Sequence, residues 1–337
     1  MSVPSESQTL LNDRLTRLAR DSLRLWPFGS APTAELISHS ECAIFLVDDS
    51  GRKAILRIGR PGYNSANAIR SELAWLVALH AESGVTTPEP IRGRDGNYVQ
   101  TACGQGLAGS RDMVLFTFLD GSHLDETGNL CTPFRRLGEV TARLHNHSEN
   151  WVRPPRFERL VWSVENILGG KCALWGDWRQ PVGGDMPSLG VLERAAKVIR
   201  KRLMLFGKSA KRWGLIHADL RLANLLAYGN DTRVIDFDDC GLGWYLHDLG
   251  AALSFIEDRA DKDELIDSWL QGYTRHREVS ALERAEIPTF VMLRRMQLLA
   301  WIGSHPGTDL AREQRPRFVE VSCKLAEAYL AAGAIAA

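Results

Sequence analysis

The stretch from Trp213 to Leu249 constrains the fold more than any other part of this chain. Two short apolar runs, Leu215-Ile216 and Val234-Ile235, each lead into a group of acidic residues, and a turn-forming Gly229-Asn230-Asp231 lies between them. Apolar runs joined by glycine, asparagine and aspartate are typical of paired strands and their turns. We therefore predict a β-hairpin-like unit that carries acids at the ends of its strands.

The spacing of the polar residues in this unit fits phosphoryl transfer. That reaction needs a group that orients and deprotonates the attacking hydroxyl, oxygen ligands for Mg²⁺, and cations that offset the developing charge. Asp219 suits the first role, and Asn224 and Asp236 carry the oxygens that Mg²⁺ prefers. Arg221 is a candidate to contact the transferred phosphate, and His217 is predicted to be buried and to brace the loop through hydrogen bonds.

A resemblance to a known family rests on the same residues. The run His217-Ala-Asp219-x4-Asn224, followed by Ile235-Asp236-Phe237-Asp238, resembles the catalytic and metal-binding loops of the protein-kinase-like fold. The form is most similar to the phosphotransferase enzyme family, which includes aminoglycoside phosphotransferases, choline kinases and homoserine kinases. The resemblance implies an α+β, two-lobed fold, with an N-terminal antiparallel sheet lobe and a larger, mainly helical C-terminal lobe. It also implies ATP as the phosphate donor and Mg²⁺ as the metal.

Length and charge agree with this reading. A chain of 337 residues that is 45% hydrophobic can bury a full core, and its length favours two lobes. We predict an N-terminal helix within residues 1–29 that packs on the first lobe, a nucleotide-binding lobe over 30–119, and a catalytic and acceptor-binding lobe over 120–337. The 41 basic residues balance the 41 acidic ones, so charge gives no reason to expect a nucleic-acid or membrane partner.

Cysteine usage and hydropathy bear on location. The six cysteines are scattered without a C-x-x-C pair, which indicates reduced thiols rather than a zinc site or a disulfide framework. Charged residues interrupt the N-terminal leucines, and no apolar segment has the length of a membrane span. We therefore expect a cytoplasmic protein, and the sequence does not indicate an oligomeric state.

An ion pair is predicted in the first lobe. Residues 34–60 have the pattern of a hairpin that contains Arg57, at the place where the kinase fold has its phosphate-pairing lysine. Glu72 falls inside the apolar stripe of the following helix, where an unpaired carboxylate would be costly. We expect Glu72 to pair with Arg57 and hold it toward the nucleotide phosphates. The alternative is that Arg57 lies on the solvent face of an edge strand.

The rest of the nucleotide site is assigned by resemblance. The segment Ser38-His39-Ser40-Glu41 would form a turn over the phosphates, although it has no glycine-rich motif, so backbone N–H groups or the Ser38 and Ser40 hydroxyls would serve. Phe118-Leu119 would form the hinge that pairs with the adenine edge, with Phe116 or Phe118 beside the ring.

In the second lobe, helical spacing predicts helices near residues 134–147, 188–206, 264–276, 281–305 and 312–332. Asp248 matches the acid that, in the kinase fold, bonds back to the catalytic-loop backbone. The loop-rich segment 150–187 holds four tryptophans that either line an acceptor pocket or form a structural cover.

The acceptor is predicted to be a small molecule. Asp236 and Asp248 are about a dozen residues apart, which leaves no room for a regulatory phosphorylation segment. We therefore expect phosphate transfer to the hydroxyl of an amino alcohol, hydroxy amino acid, sugar or aminoglycoside, with Asp238 and Asp239 attracting a cationic acceptor. The alternatives are a protein Ser/Thr kinase of the bacterial stress-response type, a non-catalytic nucleotide-binding pseudokinase, and a metal-dependent hydrolase built on His217 and Asp219.

Overall fold

The computed structural model describes residues 6–124 and 127–335. Its contacts divide the chain into one unit of Met1–Gly121 with Val152–Arg159, and a second of Ser122–Trp151 with Leu160–Ala337. Residues 1–5 of the predicted N-terminal segment, and residues 125, 126, 336 and 337 of the predicted second lobe, lie outside the described residues. The assignment of nucleotide binding to 30–119 and of catalysis to 120–337 stays a prediction.

The first unit is an antiparallel sheet with two helices. The strands run in the order β1-β2-β3-β6, and the outer edge of β6 is shared by β4 and β5. The strands are β1 (Thr33–His39), β2 (Ala43–Asp49), β3 (Arg52–Ile58), β4 (Pro90–Ile91), β5 (Val99–Cys103) and β6 (Ser110–Thr117). The helices are α1 (Glu6–Ser22) and α2 (Ala66–Glu82), and α2 begins after Ser65, whose side chain accepts a hydrogen bond from the Ala68 N–H.

Strand β1 differs from the sequence prediction, which expected only a hairpin over residues 34–60. Ser38 and His39 lie in β1, so the turn that was predicted to close over the phosphates begins only at Ser40. The alternation of apolar and polar residues did not indicate this strand, because its side chains are mostly exposed; even the apolar Ile37 is 55% exposed. The turn itself is closed by a hydrogen bond from the Ser40 N–H to the Cys42 carbonyl.

The core of the first unit lies between its sheet and α1. Alternate residues of β2 and β3, among them Phe45 and Leu56, pack with Leu15 and Leu18 of α1. Arg57 follows Leu56 in β3, and its side chain therefore points to the opposite face of the sheet.

The second unit is mainly helical. Its helices are α3 (Cys131–Asn150), α4 (Val164–Leu168), α5 (Met186–Phe206), α6 (Leu246–Ala252), α7 (Lys262–Tyr273), α8 (Ala281–Ser304) and α9 (Asp309–Ile335). Its strands are β7 (Ser122–His123), β8 (Leu160–Val161), β9 (Trp213–Ile216), β10 (Leu225–Tyr228), β11 (Asp231–Val234) and β12 (Gly241–Trp244). They form two small sheets, ordered β11-β10-β7 and β8-β12-β9. The predicted α+β architecture, with a sheet-rich first part and a larger helical second part, is confirmed.

The predicted hairpin was wrong in its pairing. The run Leu215-Ile216 lies in β9 and pairs with β12, whereas the strand that precedes the turn is β10, which pairs with β11. The sequence did not indicate strand β12, because two of the four residues in Gly241–Trp244 are glycines, which are uncommon in strands. The short run Leu225–Tyr228 directly follows the acidic loop and resembled its continuation.

Most of helix α8 is buried. It begins with a capping box formed by Ser280 and Glu283, and every residue from Thr289 to Gly303 is buried. Polar side chains within that run need partners inside the protein. In the described part of the chain, no helix combines the length and the apolar character needed to cross a membrane.

Candidate active site

The loop that joins β9 to β10 carries Asp219, and Asp248 of α6 holds its backbone in place. The buried carboxylate of Asp248 accepts hydrogen bonds from the backbone N–H groups of His217, at 3.0 Å, and Ala218, at 2.7 Å. The Nε2 of His217 contacts the Ile235 carbonyl at 3.1 Å, and its Nδ1 accepts from the Asp219 N–H at 3.3 Å. The predicted bracing roles of Asp248 and His217 are therefore confirmed.

A buried chain of hydrogen bonds keeps Asp248 ionised. Burial raises the pKa of Asp248, but the hydrogen bond from His145 and the neighbouring histidines outweigh it and lower this pKa below its usual value. His145 Nε2 lies 3.0 Å from the carboxylate, and its Nδ1 lies 2.8 Å from the Tyr273 hydroxyl. Burial lowers the pKa of His145 and raises that of Tyr273 well above its usual value, so both partners stay neutral.

Two residues of the motif adopt a left-handed backbone. Ala218 has φ of 67° and Asp236 has φ of 64°, a region that costs a non-glycine residue about 1 kcal/mol or more. Such conformations persist only where the surrounding contacts impose them, and they turn the neighbouring side chains in directions that a regular strand would not allow.

The Asp219 carboxylate is surrounded by donors. Its Oδ2 accepts from the Asn224 Nδ2 at 2.8 Å and from the Arg221 Nε at 3.3 Å. Its Oδ1 accepts from the Nη2 of Arg294, a residue of α8 that the sequence reasoning did not assign to the site. The structure thus brings Asp219, Arg221 and Asn224 together as expected, and adds Arg294.

Asn224 and Asp236 fit a Mg²⁺ site. The Asn224 Nδ2 donates to the carboxylate and the backbone oxygen of Asp219, while its Oδ1 accepts no hydrogen bond from the described part of the chain. The Ile235 N–H donates to the Asn224 carbonyl at 3.0 Å, which ties the residue before Asp236 to Asn224. One amide oxygen and one exposed carboxylate are a donor set suited to a hard cation that also takes substrate oxygens. That these residues hold the metal stays a prediction.

His217 is a poor ligand for the hydrolase alternative. Both of its ring nitrogens are engaged, and the residue is fully buried. Burial lowers the pKa of His217 and keeps the ring neutral. Among the residues that the structure describes, no group of three or more His, Cys, Asp or Glu could hold a metal.

The predicted ion pair in the first unit is confirmed. Arg57 Nη1 and Nη2 donate to the two carboxylate oxygens of Glu72 at 2.8 and 2.7 Å, and both residues are buried. The Arg57 guanidinium also lies 5.3 Å from the Phe116 ring centre. Ser40 is exposed, while Phe118 and Leu119 are half-buried after the end of β6. The nucleotide contacts of Arg57, Glu72, Ser40, Phe118 and Leu119 stay predictions.

Glu72→Gln is expected to destabilise the protein by about 3 kcal/mol, because it leaves the Arg57 charge buried without a counter-ion. We also expect a higher KM for ATP, since Arg57 is no longer held in place. Urea unfolding and initial rates measure the two effects. Glu89→Gln is the control, because Glu89 is 51% exposed. Equal unfolding curves for the Glu72 variant and the unmodified protein would contradict a stabilising role.

Three of the four tryptophans in segment 150–187 are buried. Trp162 and Trp178 are fully buried, and Trp162 packs edge-on against Trp175 at 5.4 Å between ring centres. Trp175 lies 5.2 Å from the guanidinium of Arg294. For Trp162, Trp175 and Trp178, burial therefore favours the structural reading over the acceptor pocket.

The chain belongs to the phosphotransferase enzyme family, whose sequence model matches residues 34–284. A solved structure described as a microcompartment-associated aminopropanol kinase is 39% identical, with a TM-score of 0.86 over 94% of this chain and 97% of that chain. An amicoumacin kinase of Bacillus subtilis is 26% identical over 72% of this chain and 71% of its own length. A homoserine kinase of Granulibacter bethesdensis is 27% identical over 74% and 76%.

Family and fold establish the reaction class. The chain is a kinase that transfers a phosphoryl group from ATP, with Mg²⁺, to a hydroxyl of a small molecule. The alternatives of a protein Ser/Thr kinase and of a non-catalytic pseudokinase gain no support from these relatives.

Proposed function

We propose that the acceptor is a small amino alcohol and that Asp219 is the base that activates its hydroxyl. The observation that carries the base role is the Asp219 carboxylate, fixed by Asn224, Arg221 and Arg294 at the end of β9. The 39% identity to an aminopropanol kinase over nearly the whole chain supports the acceptor class. Asp238 and Asp239 follow Asp236 and would attract the acceptor's ammonium group.

The reaction can be written in terms of these side chains. The acceptor oxygen forms a bond to the γ-phosphorus of ATP, the bond from that phosphorus to the bridging oxygen breaks, and ADP leaves. The hydroxyl proton passes to Asp219. The guanidinium of Arg221 lies beside Asp219, with its Nε 3.3 Å from the carboxylate, and its side chain is 29% exposed, so it is placed to offset charge on the transferred phosphate.

The remaining roles concern nucleotide and metal. Arg57, held by Glu72, is proposed to bind phosphate oxygens of ATP, with Ser40 near the phosphates and Phe118 and Leu119 beside the adenine. Asn224 and Asp236 are proposed to hold Mg²⁺, which would supply positive charge against the phosphate oxygens when bound. Because ATP is the donor, we also propose a cytoplasmic location.

The acceptor proposal is tested by initial rates with ATP, Mg²⁺ and matched compounds. We expect kcat/KM for 1-amino-2-propanol or ethanolamine to exceed that for 1,2-propanediol or 2-propanol at least about 100-fold, because the analogues lack the ammonium group. Homoserine, a sugar, an aminoglycoside and a generic protein complete the panel. Faster transfer to any of these than to the amino alcohols would overturn the acceptor class and leave the kinase assignment intact.

A further inference from the structure

Helix α8 contains two consecutive buried arginines, Arg294 and Arg295, that are 1% and 3% exposed. A buried guanidinium is costly unless it is paired and its N–H groups are bonded. Both arginines meet this condition, but with different partners. The two therefore form a natural comparison within one helix.

Arg295 has partners away from the catalytic loop. Its Nη1 donates to Glu257 at 2.7 Å, its Nε to the Ser322 hydroxyl at 2.8 Å, and its Nη2 to the Phe318 carbonyl at 3.2 Å. Ser322 and Phe318 belong to α9, and Glu257 lies between α6 and α7. These bonds join α8 to its neighbours and do not involve the loop that carries Asp219.

Arg294 instead reaches the catalytic loop. Its Nη2 donates to the Asp219 carboxylate and its Nη1 to the Ala218 carbonyl at 3.1 Å. Its Nε donates to the Ser254 hydroxyl at 2.9 Å, and its Nη1 also contacts the Gln297 side-chain oxygen at 3.3 Å. Ser254 and Gln297 thus fix the planar guanidinium of Arg294, which binds the consecutive loop residues Ala218 and Asp219.

These contacts complete the restraint on Asp219. Asn224 and Arg221 occupy one carboxylate oxygen and Arg294 the other, so the plane of the carboxylate is fixed from both sides. The left-handed backbone of Ala218 is likewise held at both ends, because Asp248 binds its N–H and Arg294 its carbonyl.

The guanidinium of Arg294 is shielded from solvent. The Trp175 ring lies 5.2 Å from the guanidinium, and His247, on α6, is 1% exposed. Burial, followed by the charge of Arg294, lowers the pKa of His247 to about 4, so this ring adds no second positive charge. In such surroundings a charge-assisted hydrogen bond is screened less than at the surface.

We propose that Arg294 is a positioning residue for phosphoryl transfer, which sets the orientation of the Asp219 carboxylate without touching the substrate. The inference rests on the proposed role of Asp219 as the base. Arg221 differs in being 29% exposed, whereas Arg294 is buried and bonded to four residues: Ser254, Gln297 of α8, and Ala218 and Asp219 of the loop.

The test compares Arg294→Met and Arg294→Lys with the matched variants Arg295→Met and Arg295→Lys. We expect Arg294→Met to lower kcat about 100-fold, the cost of a small misplacement of a reacting group, with KM for ATP and acceptor changed less than about threefold. Arg294→Lys should recover part of kcat, since it restores the charge but not the fork. Arg295→Met should lower Tm comparably while kcat, corrected for the folded fraction, stays within about twofold.

A double-mutant cycle separates positioning from a general structural effect. If Arg294 acts through Asp219, then adding Arg294→Met to Asp219→Asn should lower kcat no further, because the two residues work as a unit. If Arg294→Met lowered kcat by the same factor with and without Asp219→Asn, the positioning role alone would be overturned. Full kcat in folded Arg294→Met and Arg294→Lys would overturn it as well. Full kcat in Asp219→Asn would instead overturn the base assignment on which it rests.

Discussion

Replacing Asp219 with asparagine is expected to lower kcat by about 10³-fold while ATP binding is retained. The amide has nearly the size of the carboxylate, but it cannot take the acceptor's proton and no longer forms an ion pair with Arg294. Because the proposed role of Asp219 concerns the acceptor hydroxyl rather than the nucleotide, the effect should appear in kcat and not in affinity for ATP. Initial rates and calorimetric titration with a non-hydrolysable ATP analogue measure the two quantities.

Asp231→Asn provides the matched control for this prediction. Asp231 lies in the β10–β11 hairpin close to the catalytic loop in sequence, and its side chain is 43% exposed. Its loss should leave kcat within about twofold, as for other surface substitutions. If Asp219→Asn and Asp231→Asn retained similar rates, Asp219 would not be the base.

Replacing Asp236 with asparagine is expected to raise the Mg²⁺ concentration needed for half-maximal rate at least about 100-fold. Loss of an outer-shell partner alone costs about 10–100-fold in metal affinity, and a direct ligand should cost more. High Mg²⁺ should partly restore the rate of Asp236→Asn but should not restore that of Asp219→Asn. Removal of Mg²⁺ by a chelator should stop transfer by the unmodified protein.

A Mg²⁺ titration of both variants decides between the two roles. An unchanged Mg²⁺ dependence in Asp236→Asn would remove Asp236 from the metal site. A rescue of Asp219→Asn by Mg²⁺ would mean instead that Asp219 acts through the metal and not as a base.

The parts of the site that were predictable are those encoded locally. Asp219, Arg221 and Asn224 lie within six residues of one another, so their spacing alone brings them into one loop. The Arg57–Glu72 pair was also accessible, because a carboxylate inside an apolar helical stripe demands a partner. The role of His217 was predicted from its place in the loop and that of Asp248 from the resemblance to the kinase fold, and both residues make the expected contacts.

The features that the sequence did not predict correctly depend on contacts between segments that are distant in sequence. Strand partners could not be assigned between Leu215-Ile216 and Val234-Ile235, since short apolar runs do not specify which neighbour they pair with. Arg294 was not distinguishable from Arg295, because the α8 run from Thr289 to Gly303 is buried on all sides and its sequence has no polar face to indicate direction. Only the three-dimensional structure shows that the first arginine reaches Asp219 and the second does not.

The most direct test of the central claim is ³¹P NMR of a reaction containing the protein, ATP, Mg²⁺ and 1-amino-2-propanol, run beside the Asp219→Asn variant. We predict that a phosphate monoester of the amino alcohol appears in equal amount to ADP with the unmodified protein, and that neither accumulates appreciably with the variant. Formation of ADP and inorganic phosphate without the monoester, or equal monoester from both proteins, would contradict the account.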